Sequence, residues 1–256
     1  MFWNDPWVSN YAHGVHAAIV TGVSRGLGAA LARELLDRGF GVLGVGRTRN
    51  PTLAGDRYQF AHFDLADAAA ADTLLAEAFR DIVERRPDSV CLLNNAATVE
   101  AVGVVGRLSS AEISSAIATN LTAAVALANL FCRVFTDRKV WRRVINISSG
   151  AAEEALPGHA VYSVAKAGIE MLTVALAAEH RAPTFRAITV RPGVMDTDRQ
   201  TFFRAQPPEV LPVVELFEGF QRDGRLVPPE HVASKIVSQL VIGEVDDART
   251  YNYQDL

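Results

Sequence analysis

The feature that most constrains this chain is an alternation that runs along nearly its whole length. A short β-type apolar run is followed by a polar or glycine turn, then by an amphipathic helical run. The pattern predicts strands over His16–Thr21, Phe40–Val45, Tyr58–Phe63, Ser89–Leu93, Arg143–Ile147 and Phe185–Val190, with a closing strand over Arg249–Tyr253. Between them it predicts helices over Arg25–Arg38, Asp67–Arg86, Ser109 to about Phe135, His159–His180 and Pro229–Ile242. The first helix carries Leu27, Leu31 and Leu35 at helical spacing, with Gly39 placed to close it. Ser109-Ser110-Ala111-Glu112 has the form of a capping box.

Strands alternating with helices of this length imply right-handed βαβ units. The expected fold is α/β: one doubly wound parallel sheet of about seven strands with helices on both faces. The 256-residue chain suits a single such domain, expected over residues 15–256, with residues 1–14 as a leader or packed arm. In an open α/β sheet, ligands bind beyond the carboxyl ends of the strands. The polar clusters at Thr21-Gly22, Asp64, Asn94-Asn95, Ser148-Ser149 and Arg191-Pro192-Gly193 all fall at such ends.

Composition excludes several partners. Lys and Arg total 25 against 29 Asp and Glu, so the formal charge is −4, without the basic excess of a nucleic-acid binder. The two cysteines, Cys91 and Cys132, make neither a disulfide framework nor a zinc ribbon, and suit a reducing, cytoplasmic setting. The N-terminus lacks the basic and apolar segments of a signal peptide. The longest greasy stretch, Ala123–Cys132, is interrupted by Asn129 and is about half a membrane span, so no membrane partner is expected. His13, His16, His62, His159, His180 and His231 show no ligand spacing; no metal is expected, and most are read as surface or capping residues.

The turn after the first predicted strand is Thr21-Gly22-Val23-Ser24-Arg25-Gly26-Leu27-Gly28. Glycines there let the backbone approach a pyrophosphate, whose charge is favoured at the following helix N-terminus. That makes Gly22, Ser24, Arg25, Gly26, Leu27 and Gly28 candidate dinucleotide contacts. An NAD-type site places an acid at the end of the second strand, on the ribose 2′-hydroxyl. This chain instead has Gly46-Arg47-Thr48, where Arg47 and Thr48, joined by Arg25, suit a 2′-phosphate. The cofactor expected is NADP(H).

The spacing T-G-x-x-x-G-x-G resembles that of the short-chain dehydrogenase/reductase family, and the resemblance extends over residues 15–254. It implies a Rossmann fold and further cofactor contacts. Asp64-Leu65 resembles the pair that flanks the adenine. Asn94-Asn95-Ala96-Ala97 resembles the family's N-N-A-G, with Ala97 in place of the glycine, and implies contacts from Asn95, Ala96 and Ala97. Pro192-Gly193-Val194-Met195-Asp196-Thr197 resembles P-G-x-x-x-T, so that Pro192, Gly193, Val194 and Thr197 would line the nicotinamide, Thr197 and the Val194 backbone holding its carboxamide.

The same resemblance implies a catalytic set of Ser149, Tyr162, Lys166 and Asn120. Tyr162 and Lys166 stand one helical turn apart and so share a face. Reducing a carbonyl needs a proton for the developing alkoxide, and a free phenol, with a pKa of about 10, exchanges protons poorly at neutral pH. A neighbouring ammonium favours the phenolate. Lys166 can supply that charge and bind the nicotinamide ribose, Ser149 can donate to the substrate oxygen, and Asn120 would hold a water in a relay to the lysine.

Rival motifs are incomplete. Gly22-Val23-Ser24-Arg25-Gly26 is a literal nucleophile elbow, but it follows the first strand, with no oxyanion loop before it. Ser163-Val164-Ala165-Lys166 lacks the partner motifs of an S-x-x-K enzyme. A non-enzymatic NADP(H) sensor remains the alternative from another class, although it would have no need of Ser149, Tyr162 and Lys166.

The resemblance implies a small-molecule carbonyl compound as the substrate. Val194–Arg225 holds Phe202, Phe203, Leu211, Val214, Leu216, Phe217 and Phe220, which either form an apolar lid or pack as core helix. Within the family the chain resembles the sepiapterin reductase-like branch and bacterial benzil reductases. Asn252 stands where sepiapterin reductases carry a pterin-anchoring Asp, which favours an aromatic diketone or related ketone over a pterin. The family also implies a homodimer or homotetramer, built on the helices at about Ile113–Phe135 and His159–His180.

Overall fold

Parallel strands β1 (His16–Thr21), β2 (Gly41–Gly46), β3 (Tyr58–His62), β4 (Ser89–Asn94), β5 (Trp141–Ile147), β6 (Phe185–Arg191) and β7 (Thr250–Asn252) pair in one sheet of order β3-β2-β1-β4-β5-β6-β7. They belong to a computed structural model that describes residues 14–256; the expected leader, but for its last residue, lies outside them. The order reverses direction between β1 and β4, which places the crevice for a ligand at the carboxyl ends of those two strands.

Period-two alternation splits the core between the two faces of the sheet. In β1, Ala17 and Ile19 join one cluster while Ala18 and Val20 join the other. The first face is covered by α3 (Ala76–Glu84), α5 (Ala123–Val134) and α6 (Ala160–Glu179), through Phe79, Leu127, Phe131 and Leu176. The second is covered by α1 (Gly26–Asp37) and α9 (Pro229–Lys235), through Leu31, Leu35 and Val232. This is the expected doubly wound single domain.

Several boundaries differ from expectation. β2 starts one residue late because Phe40 leaves the sheet register and packs into the second core. The helix expected over Asp67–Arg86 is a 3-10 turn at Ala68–Ala70, then α2 (Ala71–Leu74) and α3. It breaks at Leu75, whose fully buried side chain fixes the local direction against the uniform helix preference of the alanines. The helix opened by the Ser109–Glu112 capping box is α4 (Ser110–Ile117), continued into α5 through a π-helical segment at Ala118–Thr122. Such a widened turn marks a place where one residue has been redirected. Here it is Asn120, which bonds the backbone of Thr98 through both amide atoms, at 2.7 and 2.9 Å.

The irregular stretch Val194–Pro229 carries α7 (Asp198–Arg204) and α8 (Val214–Arg222). Its buried Phe203, Leu211 and Phe217 join neither sheet core; they form a separate cluster with Val99, Val102, Val213 and Phe220. That is the arrangement of a lid on the body rather than of a core helix. The segments Ser110–Val134 and Ala160–Glu179 are long and apolar enough to cross a membrane by length and composition, more than the short greasy stretch suggested. Leu127, Leu130, Phe131 and Leu176 lay both of them on the sheet.

A buried polar chain crosses the sheet beneath its carboxyl edge. Asn94 Nδ2 donates to Asn146 Oδ1 at 2.9 Å, Asn146 Nδ2 donates to Thr173 Oγ1 at 2.9 Å, and Thr173 meets Thr189 at 2.7 Å. It ties β4, β5 and β6 to α6 in one register. Truncation of Asn146 strands buried partners on both sides. Asn146→Ala is expected to lower the free energy of unfolding by about 1–3 kcal/mol in urea denaturation.

Candidate active site

The glycine loop is built by close approach. Gly22 and Gly26 hold φ of +74° and +57°, a region that disfavours other residues. A Cβ on Gly28 would lie 2.2 Å from the Gly22 carbonyl oxygen and 2.5 Å from Asn95 Nδ2, so α1 can start here only with glycine. Arg25 caps α1 in an extended conformation without a side-chain hydrogen bond to its amides, and the first turn holds no acid. The N–H groups and positive dipole end therefore suit an anion such as a dinucleotide pyrophosphate.

The end of β4 braces this loop. Thr21 Oγ1 accepts from the amides of Asn95 and Ala96, both at 2.9 Å, and Asn95 Nδ2 donates to the Thr21 carbonyl at 2.9 Å. The Asn95 side chain thus holds the loop from behind. Thr197, of the P-G segment, also lies against the loop: a Cβ on Gly26 would meet its Cγ2 at 3.6 Å. Leu65 is buried beside the crevice, and Asp64 accepts from the Ala66 amide at 3.0 Å.

Arg47 and Thr48 are exposed just past β2. The space at Gly46 is open, since a Cβ there would approach nothing closer than the Gly22 nitrogen at 3.9 Å. Arg25 is exposed as well. Its guanidinium pairs with Asp198 at 3.0 Å, linking the glycine loop to the first residue of α7.

The other catalytic candidates come together at the ends of β5 and α6. Tyr162 and Lys166 are buried on one face of α6. Lys166 Nζ donates to the Ile147 carbonyl at 2.6 Å and lies 5.6 Å from the Tyr162 ring centre. Ser149 lies near enough to Tyr162 to help draw its phenol pKa down, and its Oγ accepts from the Ala151 amide at 3.2 Å. Pro192 and Gly193 follow β6, and the segment is held below by Arg191. Arg191 forks onto Glu170 at 2.8 and 2.7 Å, bonds Glu153 at 2.6 Å, and shares Glu170 with Ser148 Oγ at 2.7 Å. Arg191 holds the Glu153 carboxyl below the usual range.

Two residues escaped the sequence reading. Arg199, on α7, donates from Nη1 to the Tyr162 hydroxyl at 2.9 Å and from Nη2 to the Ala97 carbonyl at 3.4 Å. Its place directly after the Thr197 motif was the available signal. His159, read as a surface or capping residue, is 2% exposed. It stacks on Phe217 at 5.4 Å and meets Phe203 edge-on at 4.6 Å, and neither ring nitrogen has a hydrogen-bond partner. His16 is buried as well, on Ser89 Oγ at 2.9 Å.

The electrostatics follow from this packing. Burial pushes the Tyr162 phenol up, but the charges of Arg199 and Lys166 and the hydrogen bonds from Ser149 and Arg199 outweigh it, and the net direction is down. Burial pushes Lys166 down, Tyr162 opposes that and Arg199 adds to it. The result is a phenol biased toward giving up its proton, between two cations.

A family model described as short chain dehydrogenase matches residues 16–208. The chain belongs to that family and is an oxidoreductase of the kind that binds nicotinamide cofactors. It is similar to the benzil reductase ((S)-benzoin forming) of Bacillus cereus, 32% identical over 226 residues that cover 85% of this chain and 91% of the relative. The Bacillus subtilis (strain 168) protein of the same name is 30% identical, covering 93% and 98%. The sepiapterin reductase of Mus musculus is 31% identical, covering 89% and 92%. A solved short-chain dehydrogenase/reductase of Saccharomyces cerevisiae superposes with a TM-score of 0.79 at 25% identity, over 94% of this chain and 97% of that one.

The buried imidazole gives the site a pH signature. Burial first and the Arg199 charge second lower the His159 pKa from 6.5 to about 4. Between those values the unfolded chain binds the proton and the folded one does not, so stability falls as pH drops from 6.5 toward 4. Thermal melts across that window are expected to show a shallower acid decline for His159→Phe than for the unmodified protein.

Proposed function

We propose that this protein is an NADPH-dependent carbonyl reductase for apolar or aromatic ketones and diketones, with Tyr162 as the proton donor. The observation that carries the reading is the Tyr162 hydroxyl, buried at the carboxyl edge of the sheet and contacted by Ser149, Arg199 and the Lys166 field. NADPH, when bound, supplies the hydride. Gly22, Ser24, Gly26, Leu27 and Gly28 with the α1 amides take the pyrophosphate; Asp64 and Leu65 flank the adenine; and Ala96, Ala97, Pro192, Gly193, Val194 and Thr197 line the nicotinamide.

A substrate oxygen seated on Tyr162 and Ser149 receives the phenolic proton, and the resulting phenolate is stabilised by the cations beside it. Asn120 serves by its position: it fixes the Thr98 backbone beside Ala97 and stands in a relay toward Lys166. The names of the two Bacillus relatives support an aromatic diketone. A pterin would lack its carboxylate anchor, since Asn252 stands at that place and Asp255 is engaged by it at 3.0 Å.

Preference for NADPH rests on Arg47 and Thr48 at a β2 end without an acid. The exposed apolar side chains Val125, Val164, Met171 and Val174 on α5 and α6 support a homodimer or homotetramer. A reducing cytoplasm suits the thiols, which burial pushes up to about 12 at Cys91 and about 11 at Cys132.

Tyr162→Phe is expected to reduce kcat for diketone reduction by at least about 100-fold while NADPH still binds, as read by fluorescence titration. Arg47→Asp is expected to lower the NADPH-to-NADH ratio of kcat/KM by at least about tenfold. An unchanged ratio would remove Arg47 from the cofactor site.

A further inference from the structure

We infer that Arg199 is the specificity-determining residue of this site, holding the second oxygen of a 1,2-dicarbonyl substrate while the first is reduced at Tyr162. This rests on the carbonyl reductase reading above and narrows its substrate class.

Position comes first. A carbonyl oxygen that takes a proton from Tyr162 must come within hydrogen-bond distance of its hydroxyl. Arg199 Nη1 is already 2.9 Å from that hydroxyl, and its Cζ lies 5.5 Å from the ring centre. Any oxygen placed on Tyr162 is therefore placed beside a guanidinium. An oxygen on the adjacent carbon falls against the same group.

Donor count comes second. A guanidinium has five N–H donors in a planar fork. Two are directed at the Tyr162 hydroxyl and the Ala97 carbonyl. None of the ion pairs among the described residues involves Arg199. The fork thus retains donors and positive charge at a site whose other cation, Lys166, is turned to the Ile147 carbonyl. Adjacent oxygens of one planar unit suit such a fork. A ketone with only carbon next to the carbonyl leaves it facing an apolar group, which a polar site rejects.

The surroundings come third. The His159 ring meets Tyr162 edge-on at 6.3 Å, and Phe203 and Phe217 pack behind that imidazole, so this side of the site is aromatic. The flanking groups on the dicarbonyl are thus apolar or aromatic. In the reaction the carbonyl carbon gains the hydride from NADPH, which becomes NADP+. The carbonyl oxygen gains the Tyr162 proton, later replaced from solvent. The product is an α-hydroxy carbonyl compound whose remaining carbonyl stays on Arg199.

The test compares 1-phenyl-1,2-propanedione, benzoylformate and propiophenone, which share a phenyl ketone and differ in the neighbouring group. The unmodified enzyme is expected to favour either or both dicarbonyls over propiophenone by at least about tenfold in kcat/KM. The neutral and anionic arms tell a diketone from a 2-oxo acid. In Arg199→Met that preference is expected to shrink by about 10- to 100-fold, chiefly through KM, and to be partly restored in Arg199→Lys. All three compounds are measured on one preparation, so a loss of folded enzyme cancels in the ratios. An equal fall on all three compounds would overturn the inference, because Arg199 would then act only on Tyr162. Equal turnover of all three by the unmodified enzyme would overturn it too, while leaving the carbonyl reductase reading standing. No NADPH or NADH oxidation with any of them, or full activity in Tyr162→Phe, would overturn that reading itself.

Discussion

The site depends on keeping a lysine ammonium out of water. Lys166 is 2% exposed, and such a charge is costly to bury without compensation. The compensation is local: the Ile147 carbonyl, freed where β5 ends, accepts from Nζ at 2.6 Å, and the Tyr162 phenol lies one helical turn away. Each piece must be in register for this to hold. The Asn94–Asn146–Thr173–Thr189 chain sets α6 against the strands, and Arg191 on Glu170 clamps the next strand end to the same helix. The polar interior of an otherwise apolar sheet is thus concentrated where the ammonium needs it.

The carboxyl edge explains why so many candidates converge. Parallel strands send every strand-to-helix turn to that edge, so chemistry written at separate points of the chain meets in one crevice. Thr21 at the end of β1 and Asn95-Ala96 after β4 are distant in sequence, yet they share three hydrogen bonds because β1 and β4 are neighbours in the sheet. The same adjacency forces glycine at position 28, where backbone fills the space of a side chain. The uncapped amides at the start of α1 are set at the crevice by packing that is fixed elsewhere.

The strands, the glycine loop and the Tyr162–Lys166 face were legible because each is a short-range pattern, an alternation of period two or 3.6 or a fixed spacing. What was illegible depends on long-range packing. The break at Leu75 follows from the depth of one side chain in the core, not from its alanine-rich neighbours. The π segment is produced by Asn120 reaching the Thr98 backbone, a contact that no periodicity announces. His159 looked like a helix-terminal polar residue. It is buried because Phe203 and Phe217, from a stretch without a clear period, fold over it. That Arg25 pairs with Asp198 and that Asn95 braces Thr21 were likewise beyond the sequence, because each contact joins residues far apart in the chain.

Arg199 is the sharpest case, because its meaning comes from α7 being seated on the body. The helix carries both Asp198, which ties to Arg25 of the glycine loop, and Arg199, which reaches Tyr162. The first of these contacts joins two side chains that are 78% and 73% exposed, so it is weak and screened by salt. The second is part-buried, with the guanidinium 5.5 Å from the Tyr162 ring centre. One short helix therefore touches the glycine loop on its wet side and the Tyr162 hydroxyl on its more buried side. Its seating sets the charge at the phenol, because the guanidinium is the leading electrostatic influence drawing the phenol down. A cation carried on α7, outside the two sheet cores, thus contributes to the electrostatics of a phenol carried on α6, and the two helices must be packed together for that effect to exist.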